Sequence, residues 1–154
     1  MQARWLCLAA AWLFLAVSSA SAATVSFAGR TWQVSDRYGA PGPCLFTNAC
    51  VWVDGGGWLH LEIRKIGTNW CAAEVQTTNT LGYGEYRWYV ANRVDDLDTN
   101  AVGGLFTYQY IPGGDNEIDF EFTKSFTDDP ATNLHYTIQP YYASGHQYQK
   151  AMAL

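Results

Sequence analysis

The chain has 154 residues and a formal net charge of −5, from 9 Lys and Arg against 14 Asp and Glu. This length suits one domain with a sizeable core, and an acidic chain without a basic run is a poor partner for nucleic acid or anionic membranes. Its 7 Trp, 10 Tyr and 7 Phe favour β-strands, and aromatic rings also make platforms for sugar rings.

Residues 1–22 have the pattern of a secretory signal peptide. One positive charge, Arg4, precedes an apolar run from Trp5 to Val17, and Ala20-Ser21-Ala22 fits the small-residue cleavage rule. The run is shorter than the ~20 residues that a membrane-spanning helix needs. We therefore expect a secreted or periplasmic protein, with no membrane attachment after cleavage, whose mature domain spans 23–154.

Short strands separated by turn signals fill the mature chain, and no segment shows a sustained helical period. The turn signals include Asp54-Gly55-Gly56-Gly57. This pattern predicts an all-β, antiparallel sandwich or barrel without a second domain. Strands are predicted at 31–34, 51–53, 59–64, 71–78, 85–91, 101–110, 117–122 and 134–141.

Three cysteines remain after the signal peptide: Cys44, Cys50 and Cys71. Export favours a disulfide, and one thiol is left over unless the native protein continues. Cys44–Cys50 would close a short loop, whereas Cys50–Cys71 would join two strands, and both pairings remain open. No His lies near them at the spacing of a zinc ligand, so a zinc site is not expected.

The stretch GGDNEIDFEF, from Gly113 to Phe122, alternates acidic with apolar residues. On a strand, Glu117, Asp119 and Glu121 share one face, with the apolar residues packed beneath. Crowding raises the pKa of at least one carboxyl, and glycoside hydrolysis needs one ionised and one protonated carboxyl. The outer Cα atoms would lie about 13 Å apart, so the side chains must lean together. A solvated acidic strand and a calcium-binding edge are the alternatives.

The acidic strand resembles the E-[IL]-D-x-E signature of glycoside hydrolase family 16. Ala73-Glu74, with Thr77 and the Gly82-Tyr83-Gly84-x-Tyr86 stretch, is similar to a second block of that family. Phe106-Thr107-Tyr108 precedes the acidic strand at the spacing seen in bacterial lichenases. The resemblance covers roughly residues 27–145. It implies a concanavalin A-like jelly roll and a retaining, endo-acting hydrolase of β-glucan or a related polysaccharide.

The resemblance implies three catalytic roles. Glu117 corresponds to the nucleophile that forms a glycosyl-enzyme, and Glu121 to the general acid that protonates the leaving oxygen and then activates water. Asp119 corresponds to the middle aspartate, which holds a proton or hydrogen bond between them. The resemblance also implies substrate-binding residues on the neighbouring strands: Glu74, Gln76, Phe106, Tyr108, His135, Thr137 and Gln139.

Four positions depart from the lichenase pattern. Asp115 stands where lichenases carry Trp, and Gln76 where they carry Arg. Thr137 and Gln139 stand in the places of a cleft Asn and Tyr. The catalytic positions match while these sugar-contacting positions differ, so lichenan is not assigned as the substrate.

The same resemblance implies no organic cofactor, and we expect a monomer whose partner is the polysaccharide. Relatives carry a structural calcium, but no residues here identify such a site. Asp96-x-Asp98-x-Asn100 is similar to the start of a calcium loop but lacks its glycine and terminal Glu, which favours a solvated loop. A non-catalytic lectin-like domain and a transglycosylase on the same fold are the alternative functions.

The end of the chain, from His146 to Ala153, has the pattern of a strand that is just beginning. Family domains continue past this point. We therefore expect the native protein to extend beyond Leu154, and we expect residues 23–154 alone to be aggregation-prone and inactive because strand edges would be exposed.

Overall fold

A computed structural model describes residues 22–39, 42–112, 114–126, 131–140 and 148–154, and strands make up nearly all their regular structure. Within these ranges the exception is one 3-10 turn, Asn48–Cys50. The predicted all-β class is confirmed, and several antiparallel sheets are consistent with a sandwich. The chain divides into two compact units, up to Thr80 and from Leu81. The predicted signal peptide, except Ala22, lies outside the described residues.

The first unit builds three sheets around a small apolar core. The buried core side chains are Val34, Phe46, Cys50, Val51 and Cys71. The strands are β1 (Thr24–Phe27), β2 (Arg30–Val34), β3 (Arg37–Gly39), β4 (Cys44–Phe46), β5 (Val51–Val53), β6 (Leu59–Leu61), β7 (Arg64–Ile66), β8 (Asn69–Ala72) and β9 (Val75–Thr77). They pair in the orders β1-β2-β9, β3-β4-β8-β7 and β5-β6, and only β4 and β8 run parallel among the described strands.

Two predicted strands, 59–64 and 71–78, are each split in the structure. The first ends at Leu61, and Glu62 N donates to Cys50 O before the chain begins β7. The second leaves the sheet of β4 after Ala72 and joins β2 as β9. In both places one extended run changes its hydrogen-bonding partner, which alternation along the sequence does not reveal.

The turn predicted at 54–57 is present between β5 and β6. Gly57 N donates to Asp54 O at 3.0 Å, and Oδ1 of Asp54 accepts from Gly56 N and Trp58 N. Gly57 has a φ of 81°, a conformation that glycine adopts without steric cost. The turn fixes the hairpin register in which Trp52 lies opposite His60.

The second unit is one antiparallel sheet of consecutive strands. They are β10 (Gly103–Ile111), β11 (Gly114–Phe122), β12 (Leu134–Gln139) and β13 (Tyr148–Met152), each paired with the next. The strand predicted at 85–91 is wrong, because these residues have no ladder partner among the described strands. Their side chains interact locally instead: Arg87 pairs with Glu85, and Tyr86 stacks on Trp88.

Candidate active site

Cross-strand register gathers the three acids and five other predicted site residues on one face of β10, β11 and β12. Glu117 lies between Tyr108 and Gln139, and Asp119 lies between Phe106 and Thr137. Directly opposed residues in an antiparallel ladder project to the same side of the sheet. Glu121 has His135 opposite it on β12. We call the following set the acid face: Phe106, Tyr108, Glu117, Asp119, Glu121, His135, Thr137 and Gln139.

The centre of the acid face is buried. Asp119 is 5% exposed, His135 3% and Thr137 2%. On the opposite face, Ile118 and Phe120 each remain 40% exposed, although the ring centroids of Phe120 and Tyr136 lie 4.8 Å apart. The prediction that the apolar residues pack beneath the acids is therefore wrong for Ile118 and Phe120. The carboxyls lie in the less hydrated environment, where electrostatic interactions are stronger.

Asp119 accepts a hydrogen bond within the acid face. Nε2 of Gln139 donates to Oδ2 of Asp119 at 3.2 Å. Burial raises the pKa of Asp119, while hydrogen bonding to Gln139 and to Glu117 opposes that rise. Asp119 therefore holds a proton more readily than an exposed aspartate would.

Glu121 has a raised pKa. Burial is the main cause, and the negative charge of Asp119 adds to it. A raised pKa keeps a glutamic acid protonated at a pH where an exposed one has lost its proton. The Glu121 end of the acid face can therefore donate a proton.

Two aromatic side chains border the acids on β10. Phe106 is 40% exposed and Tyr108 is 53% exposed, and they lie opposite Asp119 and Glu117. Exposed rings beside polar groups suit a ligand that has both apolar ring faces and hydroxyl edges, as sugars do. The arrangement can thus place such a ring against the carboxyls.

No protein-family model matches the chain, and neither a curated protein nor a solved structure matches it. The resemblance to glycoside hydrolase family 16 therefore stays a prediction.

Glu74 and Gln76 belong to the first unit, whereas the acids belong to the second. The strand predicted at 71–78 is interrupted at Glu74, which lies in the break between β8 and β9. Oε1 of Glu74 accepts from Ser35 Oγ at 2.5 Å, and Oε2 accepts from Arg37 at 2.8 Å. Gln76, on β9, pairs with Gln33 on β2. These contacts give Glu74 a structural role that its motif did not predict.

The possible calcium loop has protein partners. Asp96 forms an ion pair with Lys124 at 2.8 Å, and Asp98 accepts a hydrogen bond from the backbone N of Asn100 at 2.8 Å. Across the described ranges, no group of three or more His, Cys, Asp and Glu side chains could hold a metal ion. None of the described helices is long and apolar enough to cross a membrane.

The sequence did not reveal that Gln139 contacts Asp119. The alternation of β12 places Gln139 on the same side of the sheet as Thr137, and in the ladder Gln139 lies opposite Glu117. The contact to Asp119 instead follows the diagonal between the strands, a direction set by the twist of the sheet. Because the sequence does not specify this twist, it does not predict the contact between Gln139 and Asp119.

Proposed function

We propose that the protein is a secreted, retaining glycoside hydrolase that cleaves a polysaccharide of the β-glucan type or a related one. The observation that carries the proposal is the set of three carboxyls on one face of β11, among which burial raises the pKa of both Asp119 and Glu121. A protonated Glu121 would serve as the acid and an ionised Glu117 as the nucleophile that double-displacement hydrolysis requires. The signal-peptide pattern and the family resemblance support the same function.

The proposed reaction has two steps. Glu117 attacks the anomeric carbon while Glu121 donates its proton to the leaving glycosidic oxygen, which forms a glycosyl ester and releases the first product. Glu121, now ionised, removes a proton from water, and the water oxygen attacks the anomeric carbon and displaces Glu117. A protonated Asp119 would donate a hydrogen bond to Glu117 while Glu117 is ionised, before the first step and after the second; between the steps Glu117 is an uncharged ester. Phe106 and Tyr108 provide a platform for the sugar.

The test is hydrolysis of a panel of β-glucans and galactans by the full-length protein, with Glu117→Gln and Glu121→Gln as variants. We expect both variants to lose at least about 100-fold in kcat/KM, since each removes a group that acts in the transition state. Glu62→Gln is the matched control, because Glu62 is half-buried, belongs to the first unit and pairs with Arg64 at 3.5 Å.

Binding without hydrolysis across the panel would favour the lectin-like alternative and overturn the enzymatic one. If hydrolysis occurs, product analysis with an added sugar acceptor distinguishes the two enzymatic functions. Transfer products in excess of hydrolysis would identify a transglycosylase, which uses the same first step.

A further inference from the structure

The hairpin of β5 and β6 carries two exposed tryptophans on one face. Residues two apart on a strand, and residues opposite each other across an antiparallel ladder, project to the same side. Trp52 lies opposite His60, and at the turn Asp54 N donates to Trp58 O at 3.0 Å. The neighbouring Val51 projects to the other side and is buried. We call the solvent-exposed set the hairpin face: Trp52, Asp54, Trp58 and His60.

A chain of contacts from the turn fixes the orientation of Trp52. Oδ1 of Asp54 accepts from Gly56 N and Trp58 N, and Oδ2 of Asp54 lies 2.8 Å from Nε2 of His60. The imidazole of His60 stacks on the indole of Trp52, with centroids 4.7 Å apart and 1° between the planes. An exposed ion pair stabilises a fold only slightly. Its clearer consequence here is a ring that is oriented before a ligand arrives, which lowers the entropic cost of binding.

Trp58 is held against the turn itself. A Cβ atom placed on Gly56 would lie 3.3 Å from Cδ1 of Trp58 and 3.3 Å from Oδ1 of Asp54. The indole therefore occupies space that a side chain at position 56 would need. Both tryptophans of the hairpin face are thus positioned by the turn, and they remain 41% and 52% exposed.

The exposed aromatic area of the hairpin face is small. An aromatic side chain has about 150–250 Å² of surface, so the two indoles together offer about 200 Å². A stable protein interface needs about 800 Å² from each partner. The hairpin face is therefore too small to hold a folded protein, whereas its area suits the flat apolar faces of one or two sugar rings.

Polar atoms on the hairpin face accept hydrogen bonds beside the rings. The hydrogen bond with His60 lowers the pKa of Asp54, so this carboxylate is ionised at neutral pH and only accepts. Nε2 of His60 must then be the donor, which leaves Nδ1 of a neutral imidazole as an acceptor. A carboxylate has about four acceptor positions, and Asp54 uses three of them within the hairpin. Acceptors beside flat rings match the hydroxyl edges and apolar faces of a sugar.

We propose that the hairpin face is a carbohydrate-binding site that stacks the pyranose rings of a neutral polysaccharide on Trp52 and Trp58. The hairpin belongs to the first unit, whereas the acid face belongs to the second. The inference goes beyond the proposed function, because the hairpin face holds the polysaccharide without taking part in its cleavage.

The indole N–H signals of the full-length protein provide a local test. The protein carries Glu117→Gln so that no sugar is cleaved, and it is titrated with cellohexaose, laminarihexaose or agarohexaose while NMR follows the tryptophan Nε1–H groups. The signals of Trp52 and Trp58 are assigned by their loss in Trp52→Ala and Trp58→Ala. We expect both signals to shift with at least one of these sugars, and the signal of Trp70 to stay in place.

Affinity for the matching polysaccharide, measured by depletion from solution, tests the energetic contribution. We expect Trp52→Ala and Trp58→Ala each to bind about 10-fold more weakly, because each removes a large apolar contact. Trp70→Ala is the matched control, since Trp70 is 64% exposed but lies opposite Lys65 in another sheet of the same unit. Trp52→Phe keeps a smaller ring and should bind with intermediate affinity, which covers the case in which Trp52→Ala does not fold.

Stationary Trp52 and Trp58 signals at saturating sugar, or unchanged affinity in both alanine variants, would overturn the proposal. A dimer that Trp52→Ala dissociates, in a protein whose indole signals ignore sugar, would identify the hairpin face as an interface between copies and would also overturn it. Tryptophan-dependent binding in an unmutated protein that hydrolyses nothing would retain the site and reject the proposed function. Hydrolysis with stationary Trp52 and Trp58 signals would do the reverse.

Discussion

Glu121 and His135 lie directly opposite each other on β11 and β12, and Nε2 of His135 is buried without a hydrogen-bond partner among the described residues. The imidazole contacts the ring of Phe126 edge-on, with centroids 5.2 Å apart. An unsatisfied buried polar atom costs about 1–3 kcal/mol, and such atoms in native proteins call for a functional explanation. We infer that His135 binds substrate and does not stabilise the fold.

His135→Leu should therefore separate stability from function. Removing the unsatisfied nitrogen should leave the free energy of unfolding unchanged or raise it by about 1 kcal/mol, while KM increases. Urea unfolding and steady-state kinetics of the full-length protein measure the two effects. A loss of stability together with an unchanged KM would show that His135 is purely structural.

Asn133→Leu is the matched control for that measurement. Asn133 is equally buried, but its Nδ2 donates to Asp95 O at 2.9 Å and its Oδ1 accepts from Leu154 N at 2.8 Å. This substitution leaves Asp95 O and Leu154 N without the hydrogen bonds that Asn133 makes. We therefore expect it to lower the free energy of unfolding by about 2 kcal/mol. The opposite signs of the two substitutions would identify the unsatisfied group as the cause.

The raised pKa values of Asp119 and Glu121 predict a pH-dependent stability. A carboxyl whose pKa is higher in the folded chain contributes stability that is fully present below its unfolded pKa, about 3.9 for Asp and 4.3 for Glu, and is lost as pH rises through the folded value. Asp119→Asn cannot ionise, so it should melt at a higher temperature than the wild type at pH 7 and lose this advantage near pH 3. Melting curves at the two pH values test this, with the exposed Asp36→Asn as the control.

The pH–rate profile should respond to Asp119 as well. Burial is the larger cause of the raised pKa of Glu121, and the charge of Asp119 is the smaller one. If Glu121 is the general acid, its deprotonation sets the alkaline limb of kcat/KM. Asp119→Asn should move that limb to lower pH but not to the value of an exposed glutamate. An alkaline limb that does not move would mean that Glu121 is not the group that titrates there.

The cysteines provide a test outside the acid face. No disulfide joins any two of the three in the structure, where Cys50 and Cys71 are both buried in the core of the first unit. Burial raises the pKa of Cys44; the charge of Arg37 opposes this rise, and the charge of Glu74 adds to it. We expect oxidation during export to join Cys50 to Cys71 and to stabilise the fold by roughly 3 kcal/mol.

Peptide mapping of the exported protein without reductant tests the pairing. A peptide that links Cys50 to Cys71, together with an alkylated Cys44 peptide, is the expected result. A Cys44–Cys50 peptide would contradict it and would support the short-loop alternative.

The sequence predicts the acid face well because a strand has a fixed period of two. That period alone places Glu117, Asp119 and Glu121 on one side, whatever the rest of the fold does. Strand 134–139 is likewise a regular alternation, so His135 and Thr137 are predictable as neighbours of the acids once β12 is known to pair with β11.

The sequence predicts partner changes poorly. Glu74 appears in an unbroken extended run, but the chain changes sheets there and its carboxylate binds Ser35 and Arg37, which lie about 40 residues earlier. Whether a segment forms a strand depends on the strands that pair with it, and a short stretch of sequence does not identify those partners. The same reason explains why 85–91 alternates like a strand without belonging to a sheet.

The most direct test of the central proposal is to trap the glycosyl-enzyme. The full-length protein is incubated with an activated 2-deoxy-2-fluoro glycoside built on the sugar of the polysaccharide that it hydrolyses, then digested and analysed by mass spectrometry. We predict one added glycosyl unit on the peptide that contains Glu117, ester-linked to that residue, and none in Glu117→Gln. A protein that hydrolyses the polysaccharide with inversion of the anomeric carbon, or that carries the adduct on Glu121, would contradict the proposal.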